Sequence, residues 1–535
     1  MRPLHLSEIA RMTGGRLHGE DVVVDAVVTD SRALPVAAPL GRDAGIRHGE
    51  GRAQGAPLRP KGSPIRGQGP LFIALKGECF DGHDHVASAA QAGAAAALVS
   101  RQLDVTAAGR VLPQIVVADT QRALADFAAA LQRNRSTQVI AITGSNGKTS
   151  VKTLLLAILS GADTGSAAQL ANKAVYANPG NRNNEIGLPL AVLAAPDDAQ
   201  YAVYEMGAGK PGDIAYLTAV ARPDVALVNN VAPAHLERMG SLLGIADTKA
   251  AVYDALPPEG VAVINADDAF APYFAERAHG RHLIRFGLEA SAEVTARAIE
   301  AGAGGSRFIL VTPIGETAIT LAMPGRHNVR NALAAASLAL ALGVSLEVIA
   351  AGLNVAQPVS GRLLTHRLGN DAVLIDDSYN ANPGSLAAAI DVLAEMGGDH
   401  RGGETWLVLG DMRELGDDGA AMHAEAGRRA KAAGIARLYA LGELSSAAAE
   451  AFGDGAQVFN RHEALASALA DDLRCFMGAA SGTTAAAENP VGAEAPPAGV
   501  RVLVKGSRGS AMDRIVTALL ADAKPAAGKG DTDAA

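Results

Sequence analysis

The stretch Ile140-Ala141-Ile142-Thr143-Gly144-Ser145-Asn146-Gly147-Lys148-Thr149-Ser150 decides how the rest of this chain is read. Its apolar start predicts a buried strand. A turn holding two glycines follows, and Lys-Thr then opens a helix in which Val151, Leu154, Leu155, Ile158 and Leu159 recur at the 3.6-residue period. Strand, Gly-rich turn and helix N-terminus together make a phosphate cradle. Unpaired N–H groups and the positive end of the helix point at the anion, and glycine lets the backbone come close. Lys148 adds a mobile charge, and Thr149 offers a hydroxyl to Mg²⁺. The longer Walker spacing would need glycine where Ile142 stands, so this is the short GxxGKT form. The rival reading is a plain connector between strand and helix.

Outward from that loop, residues 135–358 alternate strand and helix patterns, which argues for a parallel sheet with covered faces. The runs 201–205, 224–230 and 261–265 are apolar and end in Glu205, Asn229-Asn230 and Asn265. Ligands of open parallel sheets bind beyond the carboxyl ends of the strands, so these polar ends stand where chemistry is expected. Glu205 can complete a Mg²⁺ site begun by Thr149, because Mg²⁺ prefers oxygen ligands; a solvated strand-end glutamate is the alternative. His235 lies in the loop Ala234-His235-Leu236-Glu237, and Lys249 opens a helix; either could equally be solvated. The amide-dense run 180–189 suits a carbonyl- and phosphate-bearing ligand, with turn chemistry as its rival. Lys505-Gly506-Ser507-Arg508, after the strand 500–504, could grip a carboxylate or be a solvated loop.

The flanks complete the organisation. Residues 1–134 read as a small α/β domain, residues 359–523 as a second alternating α/β domain, and 524–535 as a disordered tail. Two stretches without hydrophobic period, about 35–69 and about 477–498, read as surface insertions. With 535 residues, 49% hydrophobic and 19% charged, the chain has an ordinary globular composition. A formal charge of −9 gives no support for a nucleic-acid or membrane-surface partner. Cys79 and Cys475 are too few and too far apart for a disulfide framework or a thiolate metal site. The N-terminus lacks an apolar core of signal-peptide length, and the Ala/Leu-rich runs are too short to span a bilayer. A cytoplasmic location, no membrane insertion and a monomer are expected.

Taken jointly, these stretches resemble the Mur ligase family of peptidoglycan synthesis. The resemblance rests on Thr-Asp-Ser-Arg (29–32), Phe-Asp-Gly-His-Asp (80–84), Thr-Gly-Ser-Asn-Gly-Lys-Thr-Ser (143–150), Gly-Asn-Arg-Asn-Asn-Glu-Ile-Gly (180–187) and Ala-His-Leu-Glu (234–237). Further along it includes Pro-Gly-Arg-His-Asn (324–328), Asp-Asp-Ser-Tyr-Asn-Ala-Asn (376–382), Gly-Asp-Met-Arg-Glu-Leu-Gly (410–416) and Val-Lys-Gly-Ser-Arg (504–508). It implies a three-domain α/β architecture, with a central P-loop parallel-sheet ATPase domain and a Rossmann-like C-terminal domain. The motifs at 80–84, 376–382 and 504–508 favour the branch that adds D-alanyl-D-alanine to UDP-N-acetylmuramoyl-tripeptide with ATP and Mg²⁺. Another Mur-type amino-acid ligase or a folylpolyglutamate synthase-like ligase is the alternative. A regulatory protein that keeps the fold without turnover and a small-molecule kinase are rivals of other classes.

The roles implied by resemblance are these. Thr29, Asp30, Ser31 and Arg32 belong to the domain that holds the UDP-sugar, and Asn183 with Asn184 contacts that substrate. Gly144, Ser145, Asn146, Gly147, Lys148, Thr149 and Ser150 bind ATP, with Asn265, His327, Asn328 and Asn331 on the nucleotide side and Arg362 and Asp377 closing over it. Thr149 and Glu205 match a first Mg²⁺ site; His235 and Lys249 match a second, the lysine carbamylated. Lys148, His235 and Lys249 are the implied catalytic residues. Lys505, Ser507 and Arg508 are implied in dipeptide binding. Ala251 stands where a glutamate is frequent in the family, which alters the charge balance beside Lys249.

Overall fold

The computed structural model describes residues 1–34, 69–107, 109–161, 174–302, 304–369, 372–398, 403–482 and 499–522, and these form two compact units. The first insertion expected from composition lies outside the described residues up to position 68. Gly69 already begins the buried strand Gly69–Ile73. Helix His462–Gly482 runs on through the start of the second expected insertion; 483–498 and the tail 524–535 lie outside the described residues. No helix among the described residues is long and apolar enough to cross a membrane.

The first unit is Met1–Val139 with Tyr176–Tyr204 and Tyr216–Arg222. Its sheet runs in the order Leu4–His5, Val23–Val28, Gly69–Ile73, Ala96–Val99, Gln114–Val116, Arg16–His18. The four inner strands are parallel and the two edges antiparallel. Leu71, Ile73, Ala97 and Leu98 are fully buried, as strands covered on both faces require. Asp119 caps helix Thr120–Arg133 by accepting from the Gln121 and Arg122 N–H groups.

The Phe-Asp-Gly-His-Asp motif is a lock within this unit. Asp81 accepts from the His83 N–H (2.9 Å), and its carboxylate lies 2.5 Å from His83 Nδ1. The Ser100 N–H donates to His83 Nε2 (2.8 Å), so the ring proton sits on Nδ1 and faces the carboxylate. The Ser100 hydroxyl also lies 3.0 Å from Nε2. Because the backbone N–H already occupies that lone pair, the trio is a tether and not a nucleophile with its base.

The second unit carries the phosphate loop. Ile140–Thr143 pairs in parallel with Val225–Val228, which pairs with Val261–Asn265, which pairs with His282–Phe286. Thr295–Gly302, Gly305–Thr312 and Gly315–Leu321 form a separate antiparallel sheet. Helix Lys148–Leu159 lies against helices Arg326–Ala341 and Leu346–Val355. At Gly352 a Cβ would come within 2.3 Å of the Ile158 Cα, so only glycine permits that approach.

A further sheet follows in the same unit, ordered Leu364–Gly369, Ala372–Asp377, Val500–Lys505, Glu404–Gly410, Arg437–Leu441, Ala456–Phe459. All but the first strand are parallel. Successive residues feed opposite cores, as the period-2 geometry dictates. Ile375, Leu407, Leu409 and Leu503 pack on one face, and Leu374, Trp406, Val408 and Val502 on the other.

Candidate active site

The phosphate loop follows strand Gln138–Thr143 and opens helix Lys148–Leu159. Gly147 takes φ +80°, where L side chains are strained, and a Cβ there would sit 2.4 Å from Asn229 Nδ2 and 2.5 Å from Asn331 Oδ1. The loop is therefore threaded through a ring of amides. Asn230 accepts the Asn146 N–H (2.8 Å), and Asn229 Nδ2 donates to the Asn146 carbonyl (3.0 Å) and to Asn331 Oδ1 (3.1 Å). Asn265 donates to the Asn229 carbonyl (2.9 Å), and Asn331 to Asn328 Oδ1 (3.2 Å). Asn265, Asn328 and Asn331, expected on the nucleotide side, thus form one network with the loop. Asn229 and Asn230 join it as well; their place at a strand end was the signal that marks them.

Lys148 is half-buried, and desolvation lowers its pKa against the pull of Glu205; its ammonium donates to the Gly144 carbonyl (2.7 Å). Thr149 donates to Glu205 Oε2 (2.8 Å), and Lys152 Nζ lies 3.3 Å from the same oxygen. Burial works against ionising Glu205, but Lys148, Lys152, the Thr149 hydroxyl and Arg362 together hold its carboxyl below the ordinary range. A hydroxyl and an ionised carboxylate side by side suit Mg²⁺, which takes few protein oxygens and fills its shell from phosphate and water. Among the described residues no cluster of three or more His, Cys, Asp or Glu forms a metal cage.

Among the described residues His235 pairs with Glu414 and not with Lys249. His235, at φ +56°, lies with Nδ1 2.5 Å from Glu414 Oε2. Lys249 is enclosed in helix Leu242–Asp254, and burial, then the field of Lys148, pushes its pKa down to about 7. His327 is pushed down to about 4, by burial first and then by Lys505 and Arg330.

The last sheet adds a cover to the loop. Arg362 donates to the Thr149 hydroxyl (2.9 Å) and lies 4.4 Å from the centre of the Tyr379 ring. Asn382 donates to Asn146 Oδ1 (2.7 Å), a contact that the Asp-Asp-Ser-Tyr-Asn-Ala-Asn stretch contained without marking. Burial raises the Asp377 carboxyl above its ordinary range although the Lys505 ammonium is 2.5 Å away. Lys505 also donates to the Asn380 carbonyl (3.0 Å), so its charge is used inside the protein. Ser507 is engaged too, donating to the Ala381 carbonyl and accepting the Arg413 N–H. Of the three residues expected to grip a dipeptide, Arg508 has the side chain that faces solvent, 67% exposed beside Asp513.

Thr29 to Arg32, Asn183 and Asn184 belong to the first unit. Asp30 holds Arg32 through its N–H (2.9 Å) and guanidinium (2.8 Å), and those bonds pull the Asp30 carboxyl down to about 2. Asn184 Oδ1 accepts the Gly187 N–H and Asn183 Nδ2 donates to Asn181 Oδ1, both at 2.8 Å. Turn chemistry therefore accounts for part of that amide-rich run.

A short phosphate loop backed by a strand-end carboxylate, covered by a second parallel sheet, defines a nucleotide-dependent ligase of the Mur type, and the chain belongs to the Mur ligase family. Residues 142–339 match the Mur ligase middle domain, 361–508 the Mur ligase glutamate ligase domain, and 61–132 the Mur ligase family catalytic domain. The chain is 39% identical to the UDP-N-acetylmuramoyl-tripeptide–D-alanyl-D-alanine ligase of Escherichia coli (strain K12), over 96% of this chain and 98% of that protein. The ligase of the same name from Mycobacterium tuberculosis (strain H37Rv) is 37% identical, covering 85% and 90%. A crystal structure of MurF from Acinetobacter baumannii superposes with TM-score 0.80 at 31% identity, covering 97% of this chain and 99% of that one. The three-domain Mur ligase architecture is thereby this chain's architecture. MurF from Thermotoga maritima, in complex with ADP, shares the fold at TM-score 0.71 and 23% identity, covering 93% and 97%.

Proposed function

We propose that this chain is the ATP-dependent ligase that joins D-alanyl-D-alanine to UDP-N-acetylmuramoyl-tripeptide, giving the pentapeptide precursor of peptidoglycan. The observation that carries the reading is the phosphate loop Gly144–Thr149 locked to Glu205 on one side and to Arg362 and Asn382 on the other. Such a loop handles triphosphate, and its cover comes from the unit's last sheet, whose strand Val500–Lys505 leads to Arg508. The likeness to ligases of that name over nearly the whole chain supports the substrates.

A free carboxylate is a poor electrophile, so an amide forms only after activation. An oxygen of the tripeptide's terminal carboxylate attacks the ATP γ-phosphorus, the bond to ADP breaks, and an acyl phosphate results. The amine of the dipeptide then attacks that carbonyl and loses a proton, and the tetrahedral intermediate expels phosphate. Two anions must meet, so catalysis is chiefly positioning and charge neutralisation. Lys148 and the loop N–H groups neutralise the phosphates; Asn265, His327, Asn328 and Asn331 line the nucleotide side; Arg362 and Asp377 act from the cover. Thr149 and Glu205 would hold Mg²⁺, which screens the triphosphate when bound; His235 and a carbamylated Lys249 would serve a second ion. Arg508 is the side chain offered to the dipeptide carboxylate, with Lys505 and Ser507 shaping its strand end. Thr29 to Arg32, with Asn183 and Asn184, would hold the UDP-sugar substrate. The domain limits would be 1–134, 135–358 and 359–523, and the enzyme would work in the cytoplasm, where ATP is at hand.

The test is ADP release by the purified chain with ATP and Mg²⁺, supplied either with the UDP-tripeptide and D-alanyl-D-alanine, with the UDP-tripeptide and single amino acids, or with a folate and glutamate. Release with the dipeptide alone supports the proposal. Release with a single amino acid or with glutamate assigns another ligase of the family, and a stable phosphorylated product would assign a kinase.

A further inference from the structure

The Gly-Asp-Met-Arg-Glu-Leu-Gly motif (410–416) sets an arginine at the end of the covering sheet. Strands Ala372–Asp377, Val500–Lys505 and Glu404–Gly410 are neighbours in that sheet and run parallel. Ligands of such sheets gather beyond the carboxyl ends of the strands. Beyond these ends stand Tyr379, Arg508 and Arg413, one after each strand. The same end of the sheet reaches the phosphate loop, since Asn382 donates to Asn146 Oδ1 (2.7 Å).

The turns that carry Arg413 and Arg508 are stitched together. The Asp411 carbonyl accepts the Ser507 N–H (3.0 Å) and the Ser510 hydroxyl (2.8 Å), and the Arg413 N–H donates to the Ser507 hydroxyl (2.9 Å). Arg413 then lays its guanidinium on Gly509, the residue after Arg508. A Cβ on Gly509 would stand 3.0, 3.1 and 3.2 Å from Nη1, Cζ and Nε of Arg413. Near-equal distances to three atoms of one plane put the flat face of the group on that residue, and the missing side chain makes room for it. A guanidinium held by its face keeps its N–H donors, which lie in the plane, for other partners.

Charge decides what such a partner is. Arg413 is exposed, and among the described residues no carboxylate, carbonyl or ring pairs with its guanidinium. The acids beside it in the chain are turned elsewhere: Asp411 accepts the Ser445 N–H (2.8 Å), and Glu414 lies 2.5 Å from His235 Nδ1. Arg508, by contrast, has Asp513 at 3.4 Å and the centre of the Tyr379 ring at 5.9 Å. Of the two arginines, Arg413 is therefore the one whose charge no carboxylate offsets.

We infer that Arg413 is a binding residue for the incoming dipeptide, its guanidinium taking the terminal carboxylate beside Arg508 through charge-assisted hydrogen bonds. That carboxylate is the anionic end of the dipeptide, and holding it leaves the amine at the other end free to react. Arg413 thereby selects an amine that carries a free carboxyl terminus. The inference rests on the reading that the dipeptide is the substrate.

The test sets Arg413→Met, which keeps the length of the stem and loses the charge, beside Arg413→Lys in the full chain. KM and kcat are measured for D-alanyl-D-alanine and for D-alanyl-D-alaninamide, which lacks the carboxylate, together with KM for ATP and UDP-tripeptide. If the amide is turned over too slowly, its Ki against the dipeptide replaces KM. Arg413→Met is expected to raise KM for the dipeptide about 10–100-fold, the worth of a hydrogen bond to a charged group, with KM for ATP and UDP-tripeptide within about twofold. The amide should bind equally weakly to the wild type and to Arg413→Met, and Arg413→Lys should lie between the two for the dipeptide. An unchanged KM for the dipeptide in Arg413→Met, an equal loss on dipeptide and amide, or a rise confined to ATP overturns the inference while leaving the proposed function standing. No ADP release by the wild type with UDP-tripeptide and dipeptide removes the proposed function, and the inference with it.

Discussion

At the scale of single residues, the site is governed by where charge is buried. Lys148→Ala removes the cation proposed to neutralise the phosphates and leaves the first unit's residues unchanged. Ligation is expected to be lost while UDP-sugar binding, read by calorimetry, stays within about threefold, the scatter of an unperturbed contact; equal loss of both would refute that division of labour. Gly147→Ala forces a Cβ onto Asn229 and Asn331 in a left-handed turn, so ATP binding should weaken by more than about tenfold, one unit of 1.4 kcal/mol. Lys249 shows how burial can create reactivity. A lysine amine reacts with CO₂ only when neutral, and the pKa of this one is lowered to about 7. From pH 6 to pH 8 its neutral fraction should therefore rise from about a tenth to about nine tenths. A ¹³C carbamate signal from labelled bicarbonate should grow over that window and vanish in Lys249→Arg. No signal at pH 8 would sink the carbamylation proposal.

Elements were legible where their period was unambiguous. Helix Lys148–Leu159 carries the five buried residues that its spacing announced, and strands ending at Glu205, Val228 and Asn265 lie where apolar runs met polar ends. The antiparallel sheet of residues 295–321 was not legible. In Gly305–Thr312 the large residues Phe308, Ile309, Leu310 and Val311 fall in one unbroken run, so the in–out alternation seen in the burial is not written in the apolar pattern. The role of His83 was equally hidden, because its partners Asp81 and Ser100 meet only when two elements pack. His83→Ala leaves the Ser100 N–H without its acceptor and takes the imidazole from the Asp81 carboxylate, which keeps the residue-83 N–H and Arg101. A cost of about 1–3 kcal/mol is expected, seen as a lower first thermal transition with unchanged activity at low temperature. An unaltered transition would mean that the tether is dispensable.

For the molecule as a whole, the described arrangement of the second unit is a closed one, with Arg362 on Thr149 and Asn382 on Asn146. Removing the Asn382 amide should loosen the cover without touching the loop's own hydrogen bonds. Asn382→Ala is expected to weaken binding of a non-hydrolysable ATP analogue about fivefold, the worth of one hydrogen bond, and to enlarge the radius of gyration of the nucleotide complex in solution scattering. A compact complex with unchanged affinity would show that Arg362 suffices.

What the amino-acid order determined by itself was everything that depends on near neighbours: the loop that cradles phosphate, the helix it opens, the strand ends that offer oxygen, and the covered parallel sheets. Those follow from side-chain period and backbone permissiveness within a few residues. What only the tertiary structure decided was how each charge is used. Lys505 looks free along the chain but is neutralised by Asp377 from 128 residues away, and His235 meets Glu414 in the loop that follows strand Glu404–Gly410. Coulombic and hydrogen-bond partners are chosen by distance in space, and that distance exists only once the sheets have packed.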